Sequence, residues 1–125
     1  MKVLSIEQLT KLCCKWQRKL GLSHWIIGLR ICHSDEMQAE SVQASNKISL
    51  TNEYALISIL DNEDYPDTPF EQDMEVSLVH ELLHIPFMYI ADPDNGTLEY
   101  IHMEALIERL ARLLVKQSRN KKGEA

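Results

Sequence analysis

The sequence of 125 residues has no apolar run near the 18 residues that a membrane-crossing helix needs, so no membrane partner is expected. It has no apolar stretch behind a basic N-terminal start, and no signal peptide is read from it. Cysteine is scarce, with only Cys13, Cys14 and Cys32. An odd count without regular spacing excludes a disulfide framework, and the adjacent Cys13 and Cys14 cannot bridge each other without strain. A reducing, cytoplasmic compartment is the expectation. Positive charge is also short: 13 Lys and Arg stand against 19 Asp and Glu, a formal net charge of −6. That balance argues against a dedicated nucleic-acid binder. The only basic cluster, Lys116 to Lys122, is expected to close a helix and begin a frayed tail. Repeats and low-complexity tracts are missing as well.

What is present fits one domain of ordinary composition, 45 % hydrophobic and 26 % charged. The expected layout is a domain over 1–118 and a flexible tail over 119–125. Ser5 and Gln8 form a capping box and Gly21 suits a left-handed helix end, so a helix is predicted between them. Its stripe of Ile6, Leu9, Cys13, Trp16 and Leu20 is core. Trp25 to Cys32 alternates like a strand. Ala39 to Ser45 reads as a weaker strand, suited to a sheet edge. Tyr54 to Leu60 reads as a buried strand. His24 and His33, at the ends of the first strand, read as surface histidines. Thr68, Pro69 and Glu71 predict a helix start, and Pro86 predicts a kink or an end near 84–86. Thr97 predicts the cap of a last helix, from Leu98 to about Gln117. The fold class is therefore α+β: an N-terminal helix, a small and mostly antiparallel three-stranded sheet, and two further helices.

The chemistry gathers in Val79-His80-Glu81-Leu82-Leu83-His84. Two histidines four residues apart lie one above the other on a helix, so both imidazoles can reach one small ion. Glu81 flanks that ion without binding it. This is the His-Glu-x-x-His arrangement of zinc hydrolases, with two His ligands and a Glu as general base. Met74, Leu78, Leu82 and Ile85 form the face expected to meet the sheet, with His80 and His84 roughly opposite. A catalytic zinc usually takes a third protein ligand. The downstream candidates are Glu99, His102, Glu104 and Glu108. On a helical wheel Glu104 falls among Tyr100, Ile101, Ile107, Ala111 and Val115, with Glu108 one turn on. A carboxylate on an apolar face needs a partner or a metal, so phase and spacing favour Glu104.

His-Glu-Leu-Leu-His at 80–84, followed by Glu-Ala-Leu-Ile-Glu at 104–108, resembles the gluzincin metallopeptidases, the thermolysin-like group. The element order also resembles the minimal catalytic half of zincins and the compact His-Glu-x-x-His proteins of prophages and mobile elements. The resemblance implies one zinc ion per chain held by His80, His84 and Glu104, with Glu81 as general base. It implies Glu108 as the acid that orients a ligand histidine, where the family usually has Asp. It implies a peptide or protein substrate, while the net charge already speaks against nucleic acid. The second lobe that supplies an oxyanion donor in large gluzincins is missing here, so Tyr89 and Tyr100 are the candidate oxyanion donors. The expected function is zinc-dependent peptide hydrolysis directed at a specific protein or peptide. A non-catalytic, zinc-stabilised binding module competes with it, as do a regulatory peptidase with a docking surface and a structural protein without metal. Leu106, Leu110 and Leu113, off the Glu104 face, suggest a homodimer through the C-terminal helix.

Overall fold

The computed structural model describes residues 2–37 and 43–124. Its elements run in the order α1 (Ile6–Lys19), β1 (Ile26–Cys32), β2 (Ala44–Ser49), β3 (Tyr54–Leu60), α2 (Met74–Met88) and α3 (Leu98–Glu124). Short 3-10 turns follow β1 and β3 at Ser34–Glu36 and Asn62–Asp64. The α+β layout is the expected one. The sheet, expected to be mostly antiparallel, is mixed, with order β1-β3-β2. β3 pairs antiparallel with β2, from Ala44↔Ile59 to Ser49↔Tyr54. It pairs parallel with β1, from Ile26↔Tyr54 to Cys32↔Leu60. The departure follows from connectivity. The short turn between β2 and β3 forces the antiparallel pair, and β1 must take the free side of β3 after the chain has crossed to the far edge.

α1 begins and ends where its residues dictate. Ser5 Oγ accepts from the Gln8 amide and Gln8 Oε1 accepts from the Ser5 amide, completing the capping box. At the other end Gly21 has φ +72°, and the Leu22 amide reaches back to the Gln17 carbonyl at 2.7 Å. That bond and the Gly21 amide to Arg18 carbonyl bond make a Schellman ending.

β3 is the centre of the sheet, and Ala55, Ile57 and Ile59 are at most 1 % exposed. β2 is an edge, as its polar composition suggested, but it runs over Ala44–Ser49. Residues 39–42 of the expected strand lie outside the described residues. Its inward side carries Ala44 and Ile48, both packed against the core, with Asn46 between them.

α2 starts at Met74, not at Pro69. Asp73 is its N-cap, accepting from the Val76 amide. Two contacts hold the preceding residues out of the helix. The buried Gln72 donates to the Leu60 carbonyl at 2.7 Å, and Asp73 receives both terminal nitrogens of Arg119 at 2.8 and 3.0 Å. Thr68 Oγ1 accepts from the Phe70 amide in a local turn instead of capping the helix. α2 also continues through Pro86 to Met88. Burial of Leu82 and Ile85, neither exposed at all, offsets the roughly 3 kcal/mol that an interior proline costs. Met74, Leu78, Leu82 and Ile85 are all buried, as their spacing predicts.

α3 packs along α2 through Ile107, Ala111 and Val115. Ile101, expected on that face, is largely exposed, and so are Leu106 and Leu113. Leu110 packs against the core. The helix passes the expected end near Gln117 and runs to Glu124. Within the stretch expected to be a tail, Arg119 pairs with Asp73 and with Glu75. No helix of the described residues is long and apolar enough to cross a membrane.

Candidate metal centre

Helix α2 puts His80 and His84 on one face, with ring centroids 5.2 Å apart. α3 crosses that face and brings Glu104 between them. Glu104 Oε2 lies 2.9 Å from His80 Nε2, and Oε1 lies 2.8 Å from His84 Nε2. One ligand atom from each of the three residues falls within 4.8 Å of the others. The three are half-buried, neither sealed in the core nor loose in solvent.

The surroundings of the triad are as specific as the triad. Glu108 Oε1 sits 2.8 Å from His80 Nδ1, and its other oxygen accepts from Arg112 Nε at 2.7 Å. Both ring nitrogens of His80 therefore face carboxylates. Burial opposes its protonation, but the hydrogen bonds to Glu104 and Glu108 outweigh it and push the imidazole up to about 10. Hydrogen bonds from His80 and His84 hold the Glu104 carboxyl far below the usual carboxylate range. The hydrogen bond from His80, helped by Arg112, also keeps Glu108 low despite burial.

Glu81 is on the other flank of His80 and is only 6 % exposed. Burial raises its carboxyl, against the opposing pull of His80, His84 and a hydrogen bond from Asn46. In that bond Asn46 Nδ2 donates to Glu81 Oε1. Asn46 was not among the residues singled out from sequence. The signal was the order Ala44, Asn46, Ile48, a polar residue on the inward face of an edge strand.

The two tyrosines separate. Tyr100 is half-buried on α3, and burial, with the charges of Glu104 and Glu81 and a hydrogen bond to Glu104, holds its hydroxyl above the ordinary value. Tyr89 caps the end of α2 and is 62 % exposed, and neither tyrosine is among the residues lining the cleft described below. Glu99 and His102 are exposed on α3 and stay outside the triad.

A cleft of about 870 Å³ reaches His80 and Glu104 and extends along α3. His80, Glu81 and Glu104 are part of its lining, and so are Gln43 and Ala44 at the start of the edge strand. Its size is that of a ligand site and not of a packing defect. Comparison of the chain with protein families, with curated proteins and with solved structures found no match, so the reading of this centre rests on its own geometry.

Proposed function

We propose that this chain is a zinc-dependent metallopeptidase acting on a specific protein or peptide, with His80, His84 and Glu104 as metal ligands and Glu81 as general base. One observation carries the reading: three ligand atoms converge within 4.8 Å, and two of their residues, His80 and Glu104, line an open cleft that the buried Glu81 also lines. The donor set fits zinc, since two imidazole nitrogens and a carboxylate oxygen suit a borderline-soft ion and leave a position open. His80 also has the outer partner that such ligands need, because Glu108 fixes its ring through Nδ1.

Bound there, zinc supplies Lewis-acid activation of a water and of a substrate carbonyl. The other tasks fall to the chain. Glu81 accepts the water's proton and passes it to the leaving amine. Its burial suits this, because a carboxylate raised from its ordinary value is a better base near neutral pH. Tyr100, with its hydrogen bond to Glu104, is the candidate tyrosine best placed to donate to a developing oxyanion. β2 pairs with β3 on one side only, so its outer edge offers main-chain groups to an extended peptide.

The test has two parts. Purified wild type is expected to hold one zinc per chain, and Glu104→Ala is expected to lose it. Zinc-loaded wild type is then offered a peptide library beside Glu81→Gln. Wild type cleaves, while the variant keeps its zinc and loses activity by about 10²- to 10⁴-fold. Zinc without turnover in wild type would reduce the chain to a zinc-stabilised binding module. Equal turnover in both proteins would remove Glu81 from the base role.

A further inference from the structure

We infer that Asn46 is a positioning residue for Glu81: its side-chain amide, reaching from edge strand β2 to helix α2, holds one oxygen of the buried carboxylate and leaves the other for water. This rests on the peptidase reading above and adds to it a residue on a different element.

Three observations lead there. First, Asn46 stands where an apolar residue would be expected. β2 turns Ala44, Asn46 and Ile48 to one side, and both neighbours pack against the core. A primary amide there costs desolvation unless it is bonded. Second, the bond it makes is to Glu81, 35 residues away, and it is the hydrogen bond of the Asn46 side chain. Third, Glu81 is buried, so its carboxylate has few ways to be oriented other than through a fixed donor. Rotation of a Glu side chain on a helix carries its oxygens through several ångströms. A misplacement of about 1 Å is enough to cost on the order of 100-fold in rate. The two oxygens also become inequivalent. Oε1 is engaged by the strand, and among the described residues Oε2 has no such tether.

The assignment also gives β2 two duties at one place. The strand whose free edge would receive substrate main chain also carries the amide that sets the base. Seating a peptide on β2 and aligning Glu81 thereby become properties of one strand.

The experiment uses the zinc-loaded full chain with Asn46→Ala and Asn46→Leu. Leucine keeps asparagine's branching at Cγ, though it is larger, and suits the apolar side of β2, so it removes the amide without the cavity that alanine leaves. Both variants are expected to retain one zinc per chain and a KM within about twofold of wild type, while kcat falls about 10- to 100-fold. In a Glu81→Gln background either substitution adds no further loss, because the residue acts through Glu81. A second readout needs no turnover. The Asn46 side-chain amide protons, followed by NMR, exchange slowly with solvent in wild type and fast in Glu81→Ala.

An unchanged kcat in both variants, a loss confined to KM, a loss that adds to that of Glu81→Gln, or fast amide exchange in wild type overturns the assignment while leaving the metallopeptidase standing. If zinc-loaded wild type cleaves nothing, the peptidase reading and this assignment fall together. Slow amide exchange would then mark Asn46 as a packing partner only.

Discussion

His80 has a carboxylate on each ring nitrogen, and this decides how the metal-free protein answers to pH. Its folded value is raised from 6.5 to about 10. The stability it contributes is therefore full below about pH 6.5 and lost as pH rises through 10. Glu104 is depressed, so its contribution is present above its ordinary value of 4.5 and lost as pH falls. The chelator-treated protein is thus expected to have its highest melting temperature between about pH 5 and 6.5, declining on both sides. On the proposed reading zinc displaces the proton shared by His80 and Glu104, so the decline above pH 6.5 should flatten in the loaded protein. Thermal melts from pH 4 to 10, with and without zinc, check this; parallel curves would mean that the ion does not displace that proton. Glu108 makes a related point. It touches Nδ1 of His80 and not Nε2, the nitrogen that faces Glu104. Glu108→Ala should leave one zinc per chain but weaken its binding about 10- to 100-fold, as read by chelator competition. Unchanged affinity would make the Glu108 contact incidental.

At the scale of elements, what was legible in the sequence was local. α1 could be bounded because both its ends are written within a few residues, in Ser5 with Gln8 and in Gly21. A Cβ at Gly21 would meet no atom within 4 Å, so Gly21→Ala tests backbone conformation alone. It should destabilise by about 1 kcal/mol through the left-handed φ, measured by denaturant unfolding. A neutral substitution would mean that the Schellman ending contributes nothing. β3 was legible too, because a run as apolar as Tyr54 to Leu60 has few other places to go. The start of α2 was not. Thr68-Pro69-Phe70-Glu71 carries a good helix signal, and it lost to Gln72 on the Leu60 carbonyl and to Asp73 on Arg119. Those partners lie 12 and 46 residues away, beyond the reach of a capping rule. The candidate metal site shows both cases. His80 and His84 are four residues apart and readable by spacing, and Glu104 followed from helical phase. Asn46 escaped because the register of a weak strand decides which of its residues face inward, and that register is set by pairing with β3.

At the scale of the whole molecule, the last turns of α3 close the structure around the cleft, although their composition looks like that of a tail. Ser118 Oγ accepts from Lys15 at 2.9 Å and from Lys19 at 3.2 Å. Arg119 reaches Asp73 and Glu75, and Glu75 in turn accepts from Trp16 Nε1 at 2.7 Å. One buried carboxylate thus gathers α1, α2 and α3. Removing residues 118–125 leaves Glu75 with the indole and Lys15 but without Arg119, and leaves Asp73 without its bidentate partner. Breaking a buried pair costs about 3–5 kcal/mol. Arg119 is 37 % exposed, so solvent screening trims this, and about 2 kcal/mol is expected. In a domain of this size that lowers the melting temperature by roughly 6–12 °C. Zinc content should not change, because the triad draws on Glu104 and the truncation begins almost four turns further along the helix. Arg119→Ala in the full chain should reproduce most of the loss, which separates the ion pairs from the length of the helix. A truncated protein that melts with wild type would show that the three helices are held by their apolar faces alone.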